Sequence, residues 1–438
     1  MTLTTPITVV RGRFLDIQKT VSQAQDIIDQ VRYIEDGVLI AKQGQIRWFG
    51  SWDDAQAHLP ANVEIQHYPE QLIIPGMIDT HIHFPQTEMV GAYGEQLLSW
   101  LNTYTFPTEI QFQDPSYAQK IAEFFIQELL KNGTTTALVF CTVHPESVDA
   151  LFEAAAQQQM RLIAGKVMMD RHAPEALCDT AESAYEDSKA LIGKWHGQGR
   201  ALYAITPRFA PTSTPEQLER AGQLKAEFPD VYVHTHLSEN KDEIAWVKDL
   251  FPEQKGYLDV YHHYGLTGNR SVFAHCVHLE DQEWQCMHET DSAIAFCPTS
   301  NLFLGSGLFP LKKTWQQQVK VGLGTDIGAG TSFSLLQTVN EAYKVQQLQG
   351  DKLSAFESLY HATLCGAKAL DLDDKLGNFN VGKEADFVVL NLKPTALQQL
   401  RQSRSKSIED SLFALFTMGD DRNIEATYIY GQKAYNQS

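Results

Sequence analysis

The stretch Ile73-Ile74-Pro75-Gly76-Met77-Ile78-Asp79-Thr80-His81-Ile82-His83-Phe84 decides the fold. It is a short, largely apolar run of strand character that ends in two histidines flanking Ile82. Side chains alternate along a strand, so both imidazoles share one face. Seven further apolar runs follow: Thr134–Phe140, Arg161–Met169, Ala201–Phe209, Val231–Leu237, Ser271–Val277, Ala293–Cys297 and Lys320–Gly324. Helical segments separate them. Asp114-Pro115 precedes Ala118–Leu130, with Gly133 just past its end, and Thr214-Pro215-Glu216 precedes Gln217–Phe228, in each case a cap residue and then proline at the first helical position. Eight buried strands alternating with helices predict an α/β fold, a (β/α)8 barrel over residues 73–374, with functional residues at the C-terminal strand ends.

Outside the barrel both ends of the chain read as β. Ile7–Val10, Gly37–Ala41 and Gln45–Phe49, the last two joined by Lys42-Gln43-Gly44, and Asp386–Leu390 and Ala426–Tyr430 predict a small β-sandwich domain built from residues 1–72 and 375–438. Composition narrows the class. Of 438 residues 43% are hydrophobic and 20% charged, and 35 basic against 54 acidic residues leave a net charge of −19. That balance argues against nucleic acid or an anionic membrane as partner. No run approaches the ~18 apolar residues of a membrane span, and Met1–Arg11 lacks a signal peptide's apolar stretch. The six cysteines form no CxxC pair, as in reduced, cytoplasmic proteins. A soluble cytoplasmic enzyme is expected.

Chemistry gathers at the strand ends. His81 and His83 close the first run, His236 the fifth, His275 lies in the sixth, and Asp326 follows the eighth. Four imidazoles and a carboxylate form a ligand inventory suited to zinc. Spacing leaves alternatives open, since His234 lies two residues before His236 on the same strand face and His278 three after His275. Glu239 follows His236 by three; it is read as a proton carrier beside the metal or as an acid at the start of a helix near Lys241.

These residues carry a resemblance. The chain resembles the amidohydrolase superfamily through Pro75–His83, His236, His275 and Asp326, and its guanine-deaminating branch through more specific motifs. Those motifs are Phe84-Pro85-Gln86, Gly91–Leu98, Trp100–Pro107, Thr206-Pro207-Arg208-Phe209, His236–Asn240, Cys297–Asn301 and Gly322–Asp326. The resemblance selects His236 and His275 over their neighbours and implies hydrolysis of guanine to xanthine and ammonia, in purine catabolism. It implies zinc held by His81, His83 and His236 with Asp326, which lowers the pKa of a bound water to about 7. Glu239 and Asp326 are then the proton carriers, and His275 either orients the water or ligates the metal. Two-metal relatives commonly carry a carboxylated lysine at the end of strand four. Here that run ends in Arg208-Phe209, and the nearest lysine, Lys166, lies inside the third run, so one zinc per chain is expected. A homodimer is expected from the same resemblance.

Guanine presents two acceptors, O6 and N7, on one edge, which an arginine matches bidentately. Arg208 is therefore expected to read that edge, Phe209 to stack on the ring, and Gln86 to meet the mixed donor–acceptor edge near the reacting carbon. The alternatives are that Arg208 pairs with an acid such as Glu88 and that Phe209 is core. The rival functions are deamination or ring hydrolysis of another base, such as 8-oxoguanine, cytosine or a triazine, and, outside enzymes, a catalytically inactive binding barrel.

Overall fold

The computed structural model describes residues 7–93 and 97–437. Gly94, Glu95 and Gln96, within one of the motifs behind the resemblance, lie outside the described residues. Eight parallel strands pair in sequence order: Met77–His83, Thr134–Phe140, Arg161–Gly165, Ala201–Pro207, Tyr232–Leu237, Ser271–His275, Ala293–Phe296 and Lys320–Leu323. The ring closes where Thr80 Oγ1 donates to the Leu323 carbonyl (3.0 Å), Asp326 N to the His81 carbonyl (2.9 Å) and His83 N to the Ile327 carbonyl (3.0 Å). Gly324 permits that closure, because a Cβ there would stand 2.9 Å from Cys297 Sγ and from His81 Cβ.

Helices cover the outer face. In Pro115–Lys131, Asp114 caps the start by accepting from Ser116 N at 2.9 Å, and Ala118, Ile121, Ala122, Phe125, Ile126, Leu129 and Leu130 form one buried stripe at helical spacing. Each large member of such a stripe contributes about 1.5–3 kcal/mol. Inside the barrel, Ile78, Leu138, Ile163, Tyr232 and Val272 pack with Leu370, Leu372 and Leu376. That apolar cluster leaves the polar strand ends to build a site.

The termini combine into one mixed sheet, the β-sandwich domain, in the order Gln432–Asn436, Ile424–Ile429, Phe387–Leu390, Ile65–Pro75, Ile7–Ile17, Val31–Lys42, Gln45–Ser51. The run Ile73–Phe84 is divided. Ile73 and Ile74 pair with Val389 and Val388 in this sheet, and the barrel strand begins at Met77. Gly76 is the joint, where a Cβ would lie 2.0 Å from Thr135 Oγ1. Continuous apolar sequence across Pro75-Gly76 hides such a joint, because both strands are buried. The run Arg161–Met169 is likewise divided, with Val167–Met168 pairing separately with Thr206–Pro207. Within 375–438, the helix Ile408–Met418 lies against the barrel helix Leu335–Leu348, where the rings of Phe413 and Tyr343 meet at 5.1 Å. Among the described residues no helix is long and apolar enough to cross a membrane.

Candidate active site

The four histidines and the aspartate read from the sequence converge. His83 Nε2 lies 3.1 Å from His236 Nε2, His81 Nε2 3.1 Å from Asp326 Oδ1, and His275 Nε2 3.8 Å from Asp326 Oδ2. Local backbone brings them in: the strand pairing is irregular between Asp79 and Ile82, and His275 and Asp326 hold left-handed conformations (φ 70° and 52°). Non-glycine residues in that region cost of order 1–3 kcal/mol and concentrate at functional sites. Asp79 braces the arrangement. Its carboxylate accepts from His81 N (3.1 Å), Thr325 N (3.1 Å) and Thr325 Oγ1, tying strand one to the residue before Asp326.

Hydrogen bonds on the far side of three of the four rings orient the imidazoles. His236 Nδ1 donates to the Arg208 carbonyl (2.6 Å), His275 Nδ1 bonds Asn301 Oδ1 (2.9 Å), and His81 Nδ1 bonds His234 Nε2 (2.8 Å). The Nε2 atoms of His81, His83 and His236 are left converging, and these three residues, like His81, His275 and Asp326, form a candidate metal-holding group. Two nitrogens each about 2.0–2.1 Å from one tetrahedral ion stand roughly 3.3 Å apart, close to the His83–His236 separation. His81 Nε2 is buried, within 3.1 Å of Asp326, and makes no hydrogen bond. The donor set therefore fits a divalent cation. Burial, with neighbouring imidazoles and Arg208, holds His81, His83 and His236 well below the usual imidazole range, which keeps their lone pairs free for an ion. His275 differs: burial disfavours its protonation, but Glu239 and Asp326 outweigh burial and raise it.

The alternatives left open by spacing part company. His234 is the second-layer partner of His81, and His278 Nε2 bonds the Ser306 carbonyl at 2.8 Å. Lys166 Nζ, buried, is held by Asp179 Oδ2 at 2.5 Å.

Glu239 does not cap the following helix. Asn240 Oδ1 accepts from Asp242 N (2.8 Å), and Glu243 Oε2 accepts from Glu239 N (3.0 Å) and Asn240 N (3.1 Å). The Glu239 carboxylate turns instead to the site, where Oε1 accepts from Ser306 Oγ (2.9 Å) and Oε2 lies 3.5 Å from His275 Nε2. Burial, then the charge of Asp326, push Glu239 up against the pull of His275 and Ser306, and burial raises Asp326 as well.

A pocket opens on this cluster, lined by His83, His236, His275, Asp326 and Glu239 together with Gln86, Arg208, Phe209, Trp100 and Leu101. Arg208 pairs with an acid, but the acid is Glu109 rather than Glu88: Nη1 donates to both Glu109 oxygens (3.0 and 2.8 Å), while Glu88 accepts from the Tyr117 hydroxyl. Gln86 Nε2 donates to Glu109 Oε1 (3.1 Å) and Gln86 Oε1 accepts from Gly328 N (3.1 Å). Sequence reasoning missed Glu109, Ser306, Asp79 and the part played by His234. For Glu109 the available signal was its place two residues beyond the quoted Trp100–Pro107 motif.

Residues 72–434 match the family model described as "Amidohydrolase family". The chain is 62% identical to guanine deaminase of Escherichia coli (strain K12) over 429 residues, 98% of each chain. The solved E. coli guanine deaminase superposes with a TM-score of 0.96 at 60% identity, covering 99% of this chain and 100% of that one. Guanine deaminase from C. acetobutylicum with bound guanine superposes at 0.88 and 31% identity, covering 98% and 100%.

Proposed function

This chain belongs to the amidohydrolase family, and from that premise we propose that it is a zinc-dependent hydrolase converting guanine and water to xanthine and ammonia. The observation carrying this reading is one pocket lined both by Arg208, Phe209 and Gln86 and by the converging imidazoles. The 62% identity to a guanine deaminase along essentially the whole chain supports it.

His81, His83 and His236, with Asp326, would hold one zinc, and His275 stands beside it. Bound there, a divalent ion supplies Lewis acidity that makes water nucleophilic near neutral pH. The rest falls to side chains. Arg208 reads the O6/N7 edge, Phe209 stacks on the ring, and Gln86 holds the edge beside C2, so that C2 faces the cluster. Asp326 accepts a proton from the attacking water, and His275 orients that water. Glu239 delivers a proton to the ring nitrogen next to C2, which takes up the charge as the C2–O bond forms. Asp326 passes the water's proton to the exocyclic nitrogen, the C2–N bond breaks with its electron pair leaving on ammonia, and the C2 hydroxyl gives its proton back to Glu239 as the carbonyl forms. Glu239 suits this role because burial raises its proton affinity while His275 and Ser306 keep its anion accessible.

A side-by-side assay of ammonia release from guanine, adenine, cytosine and 8-oxoguanine by zinc-loaded protein tests the proposal. Guanine should be preferred, and adenine, which offers a donor at position six where Arg208 has no acceptor, should be turned away. Preference for cytosine or 8-oxoguanine, or no release at all, would replace this reading with one of its rivals. We further propose a cytoplasmic homodimer, in line with six unpaired cysteines. Sedimentation of the zinc-loaded protein as a monomer would exclude the dimer.

A further inference from the structure

We infer that Glu109 is a positioning residue for this reaction, aiming Arg208 and Gln86 at the base; the inference rests on the reading of those two side chains given above. Glu109 ends the short helix Phe106–Glu109, which continues from a π-helical turn at Leu101–Thr105. The same segment lends Trp100 and Leu101 to the cavity wall, and the Phe106 ring lies 5.7 Å from the Arg208 guanidinium. The Glu109 side chain is fully buried and that of Arg208 nearly so. One carboxylate serves both readers. Oε1 accepts from Arg208 Nη1 and Gln86 Nε2, and Oε2 accepts from Arg208 Nη1.

Two consequences follow from donor and acceptor chemistry. A guanidinium is planar, so anchoring Nη1 at both carboxylate oxygens fixes the direction in which its remaining donors point. A glutamine amide can present either end to a ligand, but Gln86 has its nitrogen on a carboxylate, which only accepts, and its oxygen on the Gly328 N–H, which only donates. Its orientation is therefore set before a base arrives. The pair Arg208–Glu109 is also formally neutral, which suits an uncharged purine.

The test is a double-variant cycle in the zinc-loaded enzyme, with kcat and KM on guanine measured well below each variant's melting point and metal content determined alongside. Glu109→Gln offers one acceptor where two are used and turns an NH2 group towards Nη1. It should lower kcat/KM about 10²-fold, the usual scale for a misplaced reacting group, with the metal retained and part of the loss in kcat. Because Glu109 acts through Arg208 and Gln86, adding Glu109→Gln to Arg208→Met should cost only about threefold more. Losses that multiply in the double variant, or Glu109→Gln as fast as its parent while Arg208→Met is slow, overturn the inference alone. Arg208→Met as fast as its parent removes the underlying reading and the inference with it. Should Glu109→Gln fail to fold, Glu109→Asp keeps the charge but draws it back by roughly 1.5 Å. It should lose at least about tenfold, and full activity there also overturns the inference.

Discussion

Glu239→Gln separates proton transfer from everything else this side chain does. The amide keeps the carboxylate's shape, and its oxygen can still accept from Ser306 Oγ, now 2.9 Å from Oε1. Glu239 belongs to neither converging metal-holding group, and the cap of the next helix rests on Asn240 and Glu243. Metal content and fold should therefore survive. What disappears is a buried group that can bind and release a proton 3.5 Å from His275 Nε2. General acid–base catalysis contributes about 10²–10⁴-fold, which at about 1.36 kcal/mol per tenfold is roughly 2.7–5.4 kcal/mol on the barrier. Stability should move the other way. Burial, then the charge of Glu239, push Glu243 up to about 7, so neutralising Glu239 relieves a repulsion and the variant should melt no lower than its parent. Loss of guanine absorbance or ammonia release, elemental analysis and a thermal melt read the three quantities on one preparation. A loss under tenfold would mean that the ring proton travels by another route. A loss of metal would mean that Glu239 is a ligand.

Three other outcomes are expected. His234→Ala strips His81 Nδ1 of its 2.8 Å partner and should weaken metal affinity by about 10–100-fold in a chelator competition; unchanged affinity would show that packing alone holds the His81 ring. Lys166→Met should leave one metal ion per chain by elemental analysis, because Lys166 already engages Asp179; two ions in the parent and one in the variant would defeat the single-metal reading. Burial, then the charge of Glu239, push the Glu243 carboxyl from its ordinary value near 4.5 up to about 7. Its stabilising contribution is complete below about pH 4.5 and is lost as pH rises through about 7. Glu243→Gln should thus flatten the fall in unfolding free energy across that window by up to about 3 kcal/mol, measured by urea titrations at several pH values. An unchanged slope would show that Glu243 is ionised throughout.

What is local and periodic could be read from the chain before any fold was known. Eight apolar runs, proline-led helix starts such as Asp114-Pro115 and the His81–His83 pair depend on side-chain alternation, capping and φ restriction, all of which act within a few residues. The candidate ligands were legible because a barrel brings strand ends together wherever they fall in the chain. Tertiary structure decided how they are used. His234 and His236 share a strand face by the rule of two, so only their depth in the barrel distinguishes them: His234 meets His81 Nδ1 from behind, while His236 meets His83 within the metal-holding group. The sequence offered Glu239 two roles, and the choice fell to Glu243, which caps the helix, and to Ser306, sixty-seven positions away, which donates to the freed carboxylate. Arg208 was expected to pair with the base or with an acid such as Glu88. It pairs with Glu109, ninety-nine positions away, through a contact that forms only once the Phe106–Glu109 helix packs beside Arg208. Hydrogen bonds of that span follow no period in the chain, because they form only after strands and loops remote in sequence have been packed side by side.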